Sequence, residues 1–199
     1  MPLLRPSNPL SEFEAGLLRE KTFGIIKSKS FSRGRFQLSS GKQSDFYLDL
    51  KPTMLDPEGA DALAQMVLDR LKDMKVDCIG GLEVGAIPIV STIAMLSQQQ
   101  GTPLPGFFVR KELKDHGTRQ LLEGLASGES LRGKSVVILD DVTTSGRSSM
   151  AAVKAAQDEG ARVVLVLAIV DREEGAAGFY RENDVPFAAL FAASEFMAA

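Results

Sequence analysis

Two uninterrupted apolar runs dominate the chain. Val136, Val137, Ile138 and Leu139 form one, and Val163 to Val170 form the other. Such runs suit strands buried on both faces of a parallel sheet. The first leads into Asp140 and Asp141, where the strand is expected to emerge, and the second ends in Asp171 and Arg172. Between them, Ser148 to Glu159 is Ala-rich, fits a helix and is closed by Gly160. Together these segments read as a strand, helix and strand, the unit of a parallel sheet.

The rest of the pattern fills in around that unit. Pro9 to Glu20 predicts a first helix, with Ser11 and Glu14 spaced as a capping box. Thr22 to Lys27 reads as an apolar-centred strand. Residues 35–50 alternate as a hairpin, with Phe36 and Leu38 on one arm, Ser40-Gly41 at the turn, and Phe46 and Leu48 on the other arm. Asp56-Pro57 opens a helix whose Ala60, Leu63, Ala64, Val67, Leu71 and Met74 share one face. Residues 77–82 predict a short buried strand, which passes through Glu83-Val84-Gly85 into a helix beginning near Ile87-Pro88. Strands are expected at 106–110 and 185–191, with a short Ala-rich tail after the second. No repeat or linker interrupts the chain. The expectation is one α/β domain over 1–199: a mostly parallel central sheet flanked by helices over about 51–199, with a small N-terminal hood and hairpin over about 1–50.

Composition narrows the function. A net charge of −3 and a pI near 5.3 argue against nucleic acid as a partner, because no global positive field exists to release counterions. The single cysteine, Cys78, excludes an internal disulfide and a multi-cysteine metal site, and its apolar surroundings suit a reduced core thiol. The start of the chain has prolines and no apolar export core, and the longest apolar run, 163–170, is too short to span a bilayer. A cytoplasmic protein without membrane contact is therefore expected.

The chemistry concentrates at residues 140–148. Thr143, Thr144, Ser145 and Gly146 let backbone N–H groups approach an anion closely, and the helix behind them adds its positive end. That combination forms a phosphate cradle. Asp140 and Asp141 can accept hydrogen bonds from vicinal hydroxyls or hold a hard divalent cation. A ligand with both a phosphate and a diol, a ribose phosphate, follows. From Arg110 to Arg119 the chain also holds Arg110, Lys111, Lys114 and Arg119 against Glu112 and Asp115. This is a local positive concentration in an acidic protein. It fits either a solvated surface loop or a loop that closes over a polyphosphate. Arg172, at the end of a buried strand, suits either a carboxylate clamp or a surface ion pair with Glu173 or Glu174.

The string VVILDDVTTSG resembles the phosphoribosyl-diphosphate-binding motif of the type I phosphoribosyltransferases. Residues 108–117, FVRKELKDHG, resemble the catalytic loop of the orotate phosphoribosyltransferase family. Asp171-Arg172-Glu173-Glu174-Gly175 and the hairpin FQLSSGKQSDFY resemble that family's acidic-arginine segment and its N-terminal substrate hairpin. The resemblance runs from about Thr22 to about Gly175. It implies the type I phosphoribosyltransferase fold and transfer of a phosphoribosyl group from phosphoribosyl diphosphate (PRPP) to orotate. The products would be orotidine 5′-monophosphate and pyrophosphate, a step of pyrimidine biosynthesis.

Residue by residue, the resemblance implies these roles. Asp140 and Asp141 hold the ribose diol, and the turn from Val142 through Thr143, Thr144, Ser145, Gly146 and Arg147 to Ser148 binds PRPP around its 5-phosphate. Arg110, Lys111, Lys114 and His116 contact the pyrophosphate, and the Glu83–Ala86 turn holds it through its backbone. Thr144 and Arg172 contact orotate, with Arg172 on its carboxylate. Lys114, Asp140 and Asp141 form the catalytic set. Magnesium travels with the diphosphate, with Asp140 and Asp141 as candidate ligands. A homodimer with shared sites is implied. The chain departs from enterobacterial-type members at Ser39 and Gly85, where they carry lysines, and at Glu173, where the family commonly has glutamine.

Three rivals differ in what they need. A purine or xanthine phosphoribosyltransferase shares the central motif but lacks the Lys-Asp-His-Gly loop. A non-catalytic sensor of PRPP could keep the cradle without that loop. A receiver-like α/β domain needs an acidic pair but neither Thr-Thr-Ser-Gly nor a basic loop.

Overall fold

The first apolar run is the centre of the molecule. The structure, a computed structural model, describes residues 10–37, 41, 43–112 and 121–198. The helices in chain order are α1 (Glu12–Lys29), α2 (Lys51–Met54), α3 (Pro57–Leu71), α4 (Ala86–Gln99), α5 (Arg147–Asp158), α6 (Ala176–Glu182) and α7 (Ala193–Ala198). The strands are β1 (Phe31–Gln37), β2 (Gln43–Leu48), β3 (Cys78–Gly81), β4 (Phe108–Val109), β5 (Leu122–Glu123), β6 (Ser135–Thr143), β7 (Arg162–Asp171) and β8 (Phe187–Ala192). The main sheet has the order β3-β6-β7-β8 and is parallel throughout. Single bridges from Ile79 to Gly106 and from Leu82 to Val109 carry it on to the edge beside β4.

Strand alternation divides the core in two. Val137 and Leu139 of β6 pack with Leu63 and Val67 of α3 and with Ile89 and Ile93 of α4. Val136 and Ile138 point the other way, onto Val153 of α5 and Tyr180 of α6. Val136 to Ile138 have no exposed surface and Leu139 has 1 %. Burial of such side chains stabilises the fold by about 1.5–3 kcal/mol each.

The connections leave β3 and β6 in opposite directions. The chain goes from β3 through α4 outward to β4, and from β6 through α5 to β7 on the far side. The carboxyl ends of β3 and β6 therefore flank the switch point of the sheet, where open α/β folds hold their ligands.

Three expectations need correction. Thr22 to Lys27 is not a strand. It continues α1, which runs unbroken from its capping box at Ser11 and Glu14 to Lys29. Thr22 and Ile26 are buried one helical turn apart, the Thr22 hydroxyl donates to the Leu18 carbonyl at 2.7 Å, and Phe23 stacks on Phe196 at 4.5 Å. Packing overrides the local strand propensity. Asp140 and Asp141 do not lie beyond β6, because the strand continues to Thr143 and pairs with β7 as far as Asp171. The Ala-rich tail forms α7, with Phe196 fully buried. The short helices α2 and α6 have no counterpart in the sequence reading.

The expected hairpin forms with shifted bounds, its first arm starting at Phe31 rather than 35 and its second ending at Leu48 rather than 50; β1 and β2 pair antiparallel from Phe31–Leu48 to Gln37–Gln43. Of its proposed turn, Ser40 lies outside the described residues, as does Leu38 of the first arm. Cys78 is fully buried, and burial pushes its thiol up to about 11, as suits a reduced core thiol. Among the described residues no helix is long and apolar enough to cross a membrane.

Candidate active site

The acidic pair sits on the last stretch of β6, and the pleat of the strand turns its two carboxylates to opposite faces of the sheet. Asp140 faces α5 and α6. Burial, first of all, pushes its carboxyl up to about 7, and the charge of Asp141 adds to the shift. The hydroxyls of Ser149 and Thr143 oppose the shift by favouring the ionised form. Both hydroxyls are buried without a partner of good hydrogen-bond geometry, and both also lie near the Tyr180 hydroxyl.

Asp141 faces β3 and the hairpin. Burial raises its pKa, while the Val142 backbone and the charge of Lys51 act against the rise and Asp49 reinforces it. Lys51 Nζ meets Asp49 Oδ1 at 2.9 Å at the start of α2, where the hairpin rejoins the core. Gly85, just before α4, leaves room for Asp141. A Cβ at Gly85 would lie 2.6 Å from Asp141 Oδ1.

The two turns at the switch point are both tightly set. At the end of β3, a Cβ on Gly81 would lie 2.3 Å from the Leu139 carbonyl and 2.4 Å from Ala86 Cβ, so α4 starts close against the strand. The Glu83–Val84 peptide there is cis. Glu83 N–H donates to the Val109 carbonyl at 2.8 Å, and Glu83 Oε1 accepts from Lys111 N–H at 2.9 Å. Thr143, the last residue of β6, is buried, Thr144 is exposed and Ser145 is partly buried. Gly146 has φ +77°, in the left-handed region that glycine tolerates, and α5 starts at Arg147 with Ser148 exposed beside it. Val142 is held within the sheet opposite Val170.

Arg172 follows β7 and is 7 % exposed. Its backbone N–H donates to the Thr143 carbonyl at 2.9 Å, which brings it beside the turn 143–148. Its Nε donates to Glu174 Oε1 at 2.8 Å, one guanidinium nitrogen donates to the Ser44 hydroxyl at 3.0 Å, and its carbon lies 4.2 Å above the Phe46 ring. The ion pair anticipated as the plain alternative is thus present, to Glu174. The fork still has N–H groups beyond these two bonds, since a guanidinium carries five.

Arg110 follows β4, with its Nη1 3.6 Å from Glu123 and its Nε 3.4 Å from the Glu112 carbonyl, and Lys111 is exposed next to it. Lys114 and His116 lie outside the described residues, as does Ser39. The sequence reading missed Asp49, Lys51, Ser44 and Tyr180. Asp49 and Lys51 directly follow the predicted hairpin, and a charged pair at a hairpin's exit into the core was the available signal. Nothing in the spacing of Tyr180 marked it.

Among the described residues no group of three His, Cys, Asp or Glu side chains could hold a metal ion. Asp140 and Asp141, turned to opposite faces, do not converge on one point, and either alone suits an ion that arrives with most of its ligands already in place, as magnesium on a diphosphate would.

This fold and crevice define a class. A sequence model of the phosphoribosyl transferase domain matches residues 53–178, and the chain belongs to that family. Within it, the chain is 52% identical over 179 residues to the orotate phosphoribosyltransferase of Rhodopseudomonas palustris strain BisB5, covering 90% of this chain and 96% of the relative. Crystal structures of Mycobacterium tuberculosis H37Rv orotate phosphoribosyltransferase are also similar. The complex with Fe(III) dicitrate superposes with a TM-score of 0.77 at 30% identity, covering 90% of this chain and 98% of that one. The complex with 5-phospho-α-D-ribosyl 1-diphosphate gives 0.74 at 27% identity, covering 90% and 99%.

Proposed function

We infer that this chain is an orotate phosphoribosyltransferase, which transfers the phosphoribosyl group of PRPP to orotate and releases pyrophosphate. The observation that carries the reading is the convergence at one switch point of the turn 143–148, the acidic pair and Arg172, in a chain 52% identical to a relative of that name over almost its full length. The whole of 1–199 acts as one catalytic unit, with the hood over about 1–50 covering the crevice of the core.

Each group has a task. The backbone N–H groups at the start of α5 hold the 5-phosphate. Asp140 and Asp141, at the carboxyl end of β6, accept from the ribose hydroxyls, and their negative charge favours the positive charge that develops as pyrophosphate leaves. Arg110, Lys111, Lys114 and His116 offset the charge of the leaving group, and the Glu83–Ala86 turn presents N–H groups to it. Magnesium accompanying the diphosphate would be held on the protein side by Asp140 or Asp141 and would supply further neutralisation of the leaving group. Arg172 pairs with the orotate carboxylate through N–H groups not used by Glu174 and Ser44, and Thr144 contacts the ring. Closure of the basic loop excludes water from the ribosyl cation.

Turnover of orotate, coupled to orotidylate decarboxylation and run beside hypoxanthine, xanthine and uracil, tests the reading. Orotate alone should be consumed. Preferred use of a purine would overturn it, and binding of PRPP without turnover of any base would favour the sensor.

The enzyme works as a homodimer with shared sites. Lys114→Ala mixed with the Asp140→Asn/Asp141→Asn variant should regain about a quarter of wild-type activity, because half the dimers are then mixed and one of their two sites is intact. Mixed dimers recovered without activity would refute the sharing.

A further inference from the structure

The phosphate turn rests on a tyrosine that none of the preceding roles uses. Tyr180 belongs to α6, 34 residues from Gly146, and is fully buried. Its hydroxyl donates to the Gly146 carbonyl at 3.0 Å, an oxygen that also accepts from Met150 N–H at 3.1 Å. Its ring lies directly beneath the turn: a Cβ on Gly146 would come within 2.8 Å of Tyr180 Cε2 and 3.0 Å of Phe179. The ring itself is fixed, stacked on Phe187 at 4.9 Å and 20° and met edge-on by Phe179 at 5.8 Å.

We propose that Tyr180 is a positioning residue for phosphate binding, acting through the Gly146 carbonyl. The peptide unit is planar and trans, so its C=O and N–H point in opposite directions. Drawing the Gly146 oxygen inward onto the Tyr180 hydroxyl turns the Arg147 N–H outward, toward the crevice. Arg147 is the first residue of α5, and its N–H has no acceptor within the helix. The donor aimed at the phosphate is thus set by a side chain on the opposite side of the turn. Burial pushes the tyrosine up to about 12, so it remains a neutral donor at any pH at which the enzyme works. The proposal rests on reading the turn as the 5-phosphate cradle.

Tyr180→Phe keeps the stacked ring and removes only the hydroxyl. Ribose 5-phosphate, measured by calorimetry, should bind it roughly 3- to 10-fold more weakly than wild type, the range for one lost hydrogen bond. The KM for PRPP should rise by a similar factor at nearly constant kcat, while affinity for pyrophosphate and the KM for orotate stay as they are. A purely structural role would instead lower the melting temperature and kcat and would weaken every ligand alike. Should the variant not accumulate in folded form, the wild type still decides. With only 2 tyrosines in the chain, labelled ring signals of Tyr180 can be followed directly, and they should shift on adding ribose 5-phosphate but not pyrophosphate. Equal ribose 5-phosphate affinity in variant and wild type, or unmoved Tyr180 signals in a wild type that binds it, overturns the role of Tyr180 alone. A wild type that does not bind ribose 5-phosphate overturns the cradle and this role with it.

Discussion

The two faces of the sheet at the end of β6 are built in different ways. On the α5 side, Asp140 is enclosed by Ser149, Thr143 and the Tyr180 hydroxyl, and the turn above sits on stacked aromatic rings. On the hairpin side, Asp141 meets half-exposed charges, Lys51 paired with Asp49, on an element that is not part of the main sheet. One side is fixed in advance by packing, which fits the phosphate proposed there, a group whose position does not change during the reaction. The other is assembled from more exposed charged side chains, which fits the mobile diphosphate proposed beside it. Two adjacent residues serve both walls because a strand sends neighbouring side chains to opposite faces.

The largest effect should come from removing both carboxylates. Asp140→Asn with Asp141→Asn preserves shape, and binding of magnesium–PRPP should weaken by about 2–5 kcal/mol, the range for truncating buried charged partners. Unchanged affinity by calorimetry would make the pair structural and dissolve the two-walled site. Next is Arg172→Ala, expected to lower kcat/KM for orotate by about 2–4 kcal/mol while the affinity for PRPP changes little. Normal orotate kinetics would leave Arg172 as the holder of the hairpin only.

Gly85→Ala tests the hairpin side. The added Cβ meets Asp141 Oδ1 at 2.6 Å, and overpacking of this kind costs about 1–3 kcal/mol, less where a side chain can rotate away. PRPP affinity should fall about 10-fold with little loss of thermal stability, because the adaptable wall yields. A fall in melting temperature as large as that for a core substitution would show that this wall is as rigid as the other.

The smallest effect is in pH. The folded-state pKa of Asp140, about 7, lies above its ordinary 3.8. The uncharged carboxyl therefore favours the unliganded fold at low pH, and this contribution is lost as pH rises from about 4 through about 7. Ligand binding runs the other way, since ribose hydroxyls need an ionised acceptor. The kcat/KM for PRPP should rise through an acid limb near pH 7, and Asp140→Asn should remove that limb. A limb that persists in the variant assigns it elsewhere, with Asp141 next, its pKa also raised by burial.

What could be read from sequence follows the same division. The α5 side is local in sequence: strand, acids, turn and helix occupy 136–159 without a break, and a fully buried parallel strand writes itself as an apolar run. The hairpin side is non-local. Asp141, Gly85 and Lys51 come from three elements that only the fold brings together. Tyr180 was illegible for the same reason, since its partner lies far away along the chain. In α1, local reading gave the wrong answer, because Thr22 to Lys27 is rich in residues that favour strands, whereas the helix begun at Ser11 runs on through it and buries Thr22 and Ile26 with Phe23 against the core. For Arg172 the ion-pair reading is met, to Glu174, and the carboxylate clamp belongs to the proposed function.

Arg172 rests on Phe46 and binds Ser44, so the side chain assigned to choosing the acceptor base is also the pin between hood and core. That double duty constrains engineering of the enzyme. Replacing Arg172 to retarget the enzyme to a base without a carboxylate would also remove its bond to Ser44 and its stacking on Phe46, loosening that arm of the hairpin while Leu48 and Phe31 still tie it to the core. Redesign would begin at positions 44 and 46, strengthening their hold on the core before the arginine is exchanged.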